Sequence, residues 1–113
     1  MAHLAIPKIA ELLKADFSAA YPSEIVSRLL LDSRQFSSAD GVLFFALRGK
    51  NHDGHEYIED LVKKGVRQFV VEQMPSQAFD ANFVVVPDSL KALQDLAKYI
   101  REQSAAVVIG ITG

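Results

Sequence analysis

Two polar clusters, each following an apolar run, contain the side chains of this chain that are best suited to binding a small ligand. The first is Asp32-Ser33-Arg34, directly after Leu29-Leu30-Leu31, and the second runs from Gly49 to His55, after Val42 to Leu47. A serine hydroxyl donates and accepts, a guanidinium can bind phosphate through two N–H groups, and glycines let main-chain N–H groups approach a ligand. The two clusters are therefore the candidate site.

The residues of the first cluster also have structural explanations, which the sequence alone leaves open. Ser33 could cap a turn after the strand, and Arg34 could simply be solvated. In an extended segment, Asp32 and Arg34 would point away from Ser33, so they could pair with neighbours and hold the loop. We favour such a structural role for Asp32.

The second cluster divides into residues that could contact a ligand and residues that could shape the loop. The segment Lys50-Asn51-His52 supplies polar contacts, whereas Asp53, with Glu56 three positions later, resembles a capping box at the start of a helix. We expect His55 to pack or bond locally. His52, Asp53 and His55 also suggest metal ligands, but three candidates in one short loop without a wider constellation do not predict a metal site.

The apolar pattern predicts strands that would place both clusters at strand ends. Ile25 to Leu31 predicts a strand ending near Asp32, and the wholly apolar run Val42 to Leu47 predicts a strand covered on both faces, with Phe44 and Phe45 pointing opposite ways. Upstream, a helix is predicted over about residues 7–15. Its apolar positions are Ile6, Ile9, Ala10, Leu13 and Phe17.

The second half of the chain predicts two helices separated by two strands. A helix with an apolar face at Tyr57, Ile58, Leu61 and Val62 should end at Gly65, and strands are predicted over 66–72 and 83–86. A longer helix, capped by Asp88 or Ser89, should run to about Gln103. Its predicted buried stripe is Leu90, Leu93, Ala97 and Ile100, with Leu96 beside it.

This order of elements predicts an α/β fold with a mixed sheet flanked by helices, because some strands follow one another directly and others are joined by a helix. The last segment, 105–113, predicts a buried strand that enters a glycine turn. A strand of this kind normally leads into another element, so we expect the chain to be a piece of a longer protein.

Composition excludes several classes of function. The 113 residues are 50% hydrophobic, which is enough for one packed core, and the net charge of -2 without a basic tract argues against binding nucleic acid or an anionic membrane. The absence of cysteine excludes disulfides and thiolate zinc sites. With no signal-peptide pattern at the start and no long apolar run, a soluble, unexported protein is expected.

Several motifs in a fixed order resemble the amino-terminal domain of the Mur ligases, the ATP-dependent enzymes that extend the peptidoglycan precursor peptide. The motifs are Leu31-Asp32-Ser33-Arg34, the segment from Asp40 to Gly49, Asp53-Gly54-His55 with Tyr57-Ile58, and Ile111-Thr112-Gly113. The resemblance covers residues 25–113. It is strongest to members that add D-alanyl-D-alanine, including versions fused to an alanine racemase, and members that add diaminopimelate or lysine share the domain type.

The resemblance implies a domain that binds the UDP end of UDP-N-acetylmuramoyl peptide. Residues 1–104 would form this domain, and residues 105–113 would be the first strand and the start of the phosphate loop of a central ATP-binding domain. The whole ligase would be cytoplasmic and would use ATP and magnesium, neither of which would be bound by this piece. The remaining domains of the ligase would be partners in the same chain. The implied UDP-binding residues are Ser33, Arg34, Gly49, Lys50, Asn51 and His52, supported by Asp32 and Asp53, with Thr112 and Gly113 starting the ATP loop.

Catalysis is not expected from this piece, and no catalytic residue is assigned in it. The sequence contains no complete phosphate loop, no nucleophile and base at a recognisable spacing, and no clustered carboxylates, which argues against a self-sufficient small enzyme. The alternative from a different class is a non-catalytic α/β interaction domain whose loops happen to match the motifs.

Overall fold

The computed structural model describes residues 4–49, 53–103 and 110–112, without the side chains of residues 33, 103 and 110–112. The elements in chain order are β1 (Leu4–Ala5), α1 (Ile6–Leu13), β2 (Asp16–Ala19), β3 (Ile25–Val26), β4 (Arg28–Leu30), β5 (Val42–Phe45), α2 (Ile58–Lys63), β6 (Gln68–Val71), β7 (Asn82–Val85), α3 (Ser89–Gln103) and β8 (Gly110–Thr112). Two 3₁₀ turns lie between them, Ser33–Gln35 and Gly54–Tyr57.

Six strands form one mixed sheet in the order β2-β7-β6-β5-β4-β8, which confirms the predicted fold class. Strands β4 to β8 are parallel to their neighbours, and only β2 pairs antiparallel, with β7. Strands β1 and β3 form a separate two-stranded antiparallel sheet. The strand order reverses at β4, because β5, β6 and β7 lie to one side of it and β8 to the other. Ligands of open α/β sheets bind beyond the carboxyl ends of the strands at such a reversal.

The sheet separates two hydrophobic layers. On one face α1 and α3 pack on Leu43 and Phe45, and on the other α2 packs on Phe44 and Phe69. The β5 strand is buried along its whole length, and Phe44 and Phe45 face opposite layers, as predicted. Phe69 forms the centre of one layer, since its ring stacks on Phe83 at 5.4 Å and meets the edge of Phe44 at 6.1 Å.

The helix ends follow the local sequence. The backbone of Lys14 enters the left-handed region, with φ 53°, and ends α1. Gly65, at φ 98°, follows α2, so the predicted stop is confirmed. The carboxylate of Asp88 accepts from the N–H groups of Leu90 and Lys91, and Asp88 is therefore the cap of α3. In the part of the chain described here, no helix is long and apolar enough to cross a membrane.

Three sequence predictions were wrong in detail. The strand predicted over 25–31 is two strands in two sheets, broken at Ser27, because the N–H groups of Ser27 and Arg28 both donate to the carbonyl of Gly41. Phe17 does not extend the face of α1. It lies in the edge strand β2 and is 46% exposed, since the helix has already ended at Lys14.

The third error concerns the buried face of α3. Leu90 is 52% exposed, and the buried positions are Ser89, Ala92, Leu96 and Ile100, with Leu93 partly buried. The small residues Ser89 and Ala92 face the sheet and allow α3 to approach it. The predicted stripe was therefore wrong at Leu90, whereas Ile100 is buried as predicted.

Candidate functional site

A cavity of about 210 Å³ lies beyond the carboxyl ends of β4 and β5, next to the reversal in strand order. Both polar clusters contribute to its wall. The lining residues are Leu31, Asp32, Arg34, Phe44, Leu47, Gly49, Gly54 and Tyr57. Apolar residues at the base with a few polar groups at the rim are typical of a small-molecule site.

The first wall is built by the salt bridge between the Asp32 carboxylate and the Arg34 guanidinium, which we call the Arg34 fork. The Arg34 Nε donates to both carboxylate oxygens of Asp32 at 3.1 Å, and Nη2 donates to Oδ2 at 2.7 Å. The Arg34 main-chain N–H donates to Asp32 Oδ1 at 2.9 Å and the Gln35 N–H to the Asp32 carbonyl, which gives the 3₁₀ turn. The hydrogen bond and the charge of Asp32 raise the pKa of Arg34. The Arg34 side chain is nevertheless 84% exposed, so this wall is held locally and in water.

The geometry of the first wall differs from the predicted one. Residues 33–35 form a 3₁₀ turn, so the assumption of an extended segment with Asp32 and Arg34 opposite Ser33 was wrong. The two charged residues pair with each other. This pairing agrees with the structural role favoured for Asp32, although its support of a ligand stays a prediction.

The second wall is the connection between β5 and α2. Arg48 and Asp53 face each other as an isolated antiparallel bridge, so these two residues of the connection lie side by side. Next to this bridge, the Gly54 N–H donates to the Leu47 carbonyl at 2.8 Å. A Cβ atom at Gly54 would lie 2.8 Å from the Leu47 nitrogen and 2.9 Å from the Ala46 Cα. Gly54 is therefore required by close contact between two backbones.

Asp53 and His55 lock the start of the 3₁₀ turn. The Asp53 carboxylate accepts from the His55 main-chain N–H at 3.0 Å and contacts Nδ1 of the same residue at 2.6 Å. Burial on its own raises the pKa of Asp53, but the two hydrogen bonds from His55 and the positive charge of Arg48 lower it overall. Asp53 is thus the predicted N-cap, and the Glu56 N–H donates to its main-chain carbonyl.

Glu72, the residue after β6, connects this wall to the rest of the fold. Its main-chain N–H donates to His55 Nε2 at 2.9 Å, and its Oε1 lies 3.2 Å from Arg48 Nε. Its other oxygen accepts from the Ser89 N–H, at the start of α3, at 2.8 Å. The Glu72 side chain is only 18% exposed. One residue therefore holds the loop, the sheet and a helix together.

The structure brings part of the predicted site together. Arg34 and Gly49 line the same cavity, although fifteen positions separate them in the sequence. Lys50, Asn51, His52 and Gly113 lie outside the described residues, as do the side chains of Ser33 and Thr112. The proposed binding roles of all these residues stay predictions.

Sequence reasoning missed Arg48 and Glu72 and treated Tyr57 only as core. Both charged residues follow buried parallel strands that are neighbours in the sheet, β5 and β6, and polar residues at such positions are frequent site residues. That signal is present in the sequence, but it requires knowledge that the two strands are adjacent. His55, expected to bond locally, does so with Asp53 and also reaches Glu72.

The described wall of the cavity presents hydrogen-bonding groups and the positive charge of Arg34. Among the residues that the structure describes, no group of three or more histidine, aspartate, glutamate or cysteine side chains is placed to hold a metal ion. The carboxylates of Asp32, Asp53 and Glu72 are each engaged by neighbouring donors.

Comparison with known proteins gives a consistent family match. The model of the "Mur ligase family, catalytic domain" matches residues 26–101. The UDP-N-acetylmuramoyl-tripeptide–D-alanyl-D-alanine ligase of Rickettsia prowazekii is 39% identical over 99 residues, 85% of this chain and 22% of that protein. The enzyme of the same name from Haemophilus influenzae is 32% identical over 113 residues, 100% of this chain and 24% of that protein.

Ligases that are named for diaminopimelate instead of D-alanyl-D-alanine also match. The UDP-N-acetylmuramoyl-L-alanyl-D-glutamate–2,6-diaminopimelate ligase of Cytophaga hutchinsonii is 34% identical over 92 residues, 78% of this chain and 18% of that protein. Among solved structures, the UDP-N-acetylmuramoylalanyl-D-glutamyl-2,6-diaminopimelate–D-alanyl-D-alanyl ligase of Acinetobacter baumannii superposes with a TM-score of 0.77 and 25% identity, over 91% of this chain and 22% of that one. The chain thus spans about a quarter or less of the length of these relatives.

Proposed function

The chain belongs to the Mur ligase family, and from this premise we propose that it binds the UDP end of UDP-N-acetylmuramoyl tripeptide for an ATP-dependent ligase that adds D-alanyl-D-alanine in peptidoglycan synthesis. The proposed binding site is the cavity beyond β4 and β5. Its contacts are Ser33, Arg34, Gly49, Lys50, Asn51 and His52, with Asp32 and Asp53 as supports.

One observation carries this proposal. The two family motifs, far apart in the sequence, line one cavity at the reversal in strand order, where open α/β sheets bind ligands. At about 210 Å³, the cavity is smaller than the roughly 300 Å³ of a site that encloses a drug-sized ligand. It would therefore enclose one end of the substrate, and the remainder would extend over the exposed Arg34 fork.

The polarity of the site suits a nucleotide. Phe44, Leu47 and Tyr57 offer apolar surface to a base, and the Ser33 hydroxyl can both donate to and accept from a uracil edge. Arg34 is held in place by Asp32, and its exposed guanidinium can reach a diphosphate without first being ordered.

The activity of the whole ligase is part of the same proposal. The relatives named above are ligases, and those that add D-alanyl-D-alanine match at 39% and 32% identity, against 34% for one that adds diaminopimelate. Addition of diaminopimelate or lysine is therefore the alternative. A racemase fusion and a cytoplasmic location also stay proposals.

ATP and magnesium would be used by the whole ligase, not by the cavity described here. Thr112 and Gly113 are the proposed start of the phosphate loop, and the backbone of Thr112 ends β8, next to β4. A strand that leads into a glycine turn is how phosphate loops begin. The proposed domain boundary at residues 104 and 105 lies outside the described residues.

Titration of the 113-residue chain with UDP-N-acetylmuramoyl tripeptide, followed by amide NMR, tests the binding proposal. We expect shifts at Arg34, Gly49, Gly54 and Tyr57, smaller but similar shifts with UDP, and none at these residues with ATP. An Arg34→Ala variant should bind about tenfold more weakly, since one charge-assisted contact is lost. Lys63→Ala, an exposed change on α2, is the matched control and should bind like the wild type.

The opposite result would favour the interaction-domain alternative. If the amides around the cavity do not respond to the UDP ligand at millimolar concentration, the chain is not a UDP-binding domain. Equal weakening by Arg34→Ala and Lys63→Ala would show a general charge effect instead of contact at the cavity.

A further inference from the structure

We propose that His55 is a positioning residue that acts as a neutral imidazole, connecting Asp53 to the main chain of Glu72 and thereby fixing the cavity wall formed by Gly54 and Tyr57. The effect of this wall on a ligand rests on the function proposed above. The connection through His55 rests only on the geometry of the ligand-free chain.

The hydrogen-bond partners determine the protonation of the ring. The Glu72 main-chain N–H can only donate, so His55 Nε2, at 2.9 Å, must accept and cannot carry a proton. Nδ1 then carries the proton of the neutral ring and donates it to Asp53 Oδ1 at 2.6 Å. The tautomer is therefore assigned from its two partners. A doubly protonated ring would oppose the Glu72 N–H with another donor.

Three charged groups from two parts of the fold surround the ring and hold this arrangement. Asp53 and Arg48 come from the two ends of the connection after β5, and Glu72 from the end of β6. Arg48 Nε lies 3.6 Å from Asp53 and 3.2 Å from Glu72, so its single positive charge is shared between the two carboxylates. The His55 side chain is only 16% exposed, and both of its ring nitrogens have a hydrogen-bond partner.

The position of His55 in the turn explains how it would affect a ligand. It lies between Gly54, which contacts the backbone of β5, and Tyr57, and both of these residues line the cavity. Ala46 is bonded to β6 through its N–H and the Val70 carbonyl, so β5 and β6 are already fixed to each other here. The ring of His55 adds the connection from the turn to β6, and losing it would free one side of the wall.

Two substitutions of His55 each keep one of the two hydrogen bonds of the ring and remove the other. In His55→Asn, the side-chain amide can still donate to Asp53 from the place of Nδ1, but nothing reaches the Glu72 N–H. In His55→Gln, the longer side chain can accept from the Glu72 N–H at the place of Nε2 and gives up the bond to Asp53. A buried N–H without a partner costs more than a lost exposed contact, so His55→Asn should be the more damaging change.

Two measurements on the ligand-free 113-residue chain test the connection. ¹⁵N spectra of the imidazole should show a protonated Nδ1 and an unprotonated Nε2 at neutral pH. Amide exchange at Glu72 should be about tenfold faster in His55→Asn and close to wild type in His55→Gln. A ring protonated on Nε2, or equal exchange in the three proteins, would overturn the proposal.

The affinity for UDP-N-acetylmuramoyl tripeptide tests the effect on the cavity. We expect His55→Asn to bind about tenfold more weakly and His55→Gln to recover most of that loss. Ile100→Val, a small truncation in the core layer on the other face of the sheet, is the control for general destabilisation and should keep wild-type affinity. If His55→Asn binds as tightly as the wild type, His55 does not position the wall.

The two proposals fail in different ways. A wild-type chain that does not bind the UDP ligand contradicts the proposed function. In that case the amide shifts of Gly54 and Tyr57 in the free variants decide the positioning role. If these shifts change in His55→Asn and not in Ile100→Val, the positioning role is supported. If they do not change in His55→Asn, the positioning role is overturned.

Discussion

The two walls of the cavity are held in opposite ways. The first wall depends on one ion pair between residues two positions apart, Asp32 and Arg34, with the arginine 84% exposed. The second depends on a network in which Arg48, Asp53 and His55 meet Glu72, from another strand, whose side chain is 18% exposed. The contacts of the first wall are local and exposed to solvent, whereas those of the second are long-range and partly buried.

This difference separates affinity from stability. An exposed ion pair contributes little to folding because water screens it and two long side chains must be ordered. A partly buried network connects elements and is costly to interrupt, since each remaining partner loses its bond. We therefore expect loss of the Arg34 side chain from the first wall to affect binding alone, and changes in the second wall to affect stability as well.

The largest effect is expected at Gly54, where the second wall contacts the backbone of β5. An alanine there would place its Cβ 2.8 Å from the Leu47 nitrogen, and neither backbone can move away easily. Gly54→Ala should lower the free energy of unfolding by about 3 kcal/mol, measured by urea denaturation. Glu56→Ala, an exposed change in the same turn, is the control and should cost no more than about 0.5 kcal/mol. Similar midpoints for the two variants would contradict the close contact.

The next largest effect is expected at Glu72. Glu72→Ala leaves the Ser89 N–H without its acceptor and leaves the Arg48 guanidinium with the more distant Asp53 carboxylate, and we expect a loss of about 2 kcal/mol in the free energy of unfolding. Glu72→Gln keeps an oxygen for the Ser89 N–H and loses the charge and the oxygen that faces Arg48, so its cost should be about half as large. If both substitutions are neutral in urea melts, the second wall is not a network and the contrast with the first wall disappears.

A smaller effect should appear in the pH dependence of stability through Asp53. The folded-state pKa of Asp53 is lowered, so its carboxylate stabilises the fold above the pKa of the unfolded chain, about 3.9, and this contribution is lost as the pH falls through the folded-state pKa. The wild type should melt above Asp53→Asn near neutral pH, and the difference in Tm should shrink below a pH of about 4.

The control for this prediction is Asp60→Asn. Asp60 is an exposed carboxylate 3.1 Å from Lys64 on α2, and its removal should change the Tm only slightly at any pH. A Tm difference between the wild type and Asp53→Asn that stays constant from neutral pH to a pH of about 3 would show that the charge of Asp53 is not what stabilises the turn.

The same contrast between local and long-range contacts explains what could be predicted from the sequence. The apolar run Val42 to Leu47 and the caps at Asp53 and Asp88 are local patterns, and they led to a buried strand and two helix starts that the structure confirms. The break at Ser27 could not be predicted, because it depends on Gly41 and on pairing with β1, both distant in the sequence.

The site residues also differ in whether local sequence patterns or long-range contacts identify them. The motif residues Asp32, Arg34 and Asp53 were found because each lies in a short polar cluster after an apolar run. Glu72 was not found, because its importance comes from the adjacency of β5 and β6 and from the start of α3. Its roles as acceptor and donor involve residues seventeen positions away in either direction.

The smallest effect on stability is expected at Arg34. Its guanidinium is in water, and the turn keeps the bond from the Arg34 main-chain N–H to Asp32 when the side chain is removed. Arg34→Ala should therefore leave the Tm unchanged within error while it weakens binding of the UDP ligand, and Asp32→Ala, which also removes the acceptor of the turn, should lower the Tm. If the salt bridge with Asp32 only orients the Arg34 guanidinium, the double variant Asp32→Ala/Arg34→Ala should have the same Tm as Asp32→Ala. Its affinity should nevertheless be lower than that of Asp32→Ala, because an arginine that is not oriented still attracts a diphosphate. A double variant with strong coupling in Tm would show that the first wall is a folding element like the second.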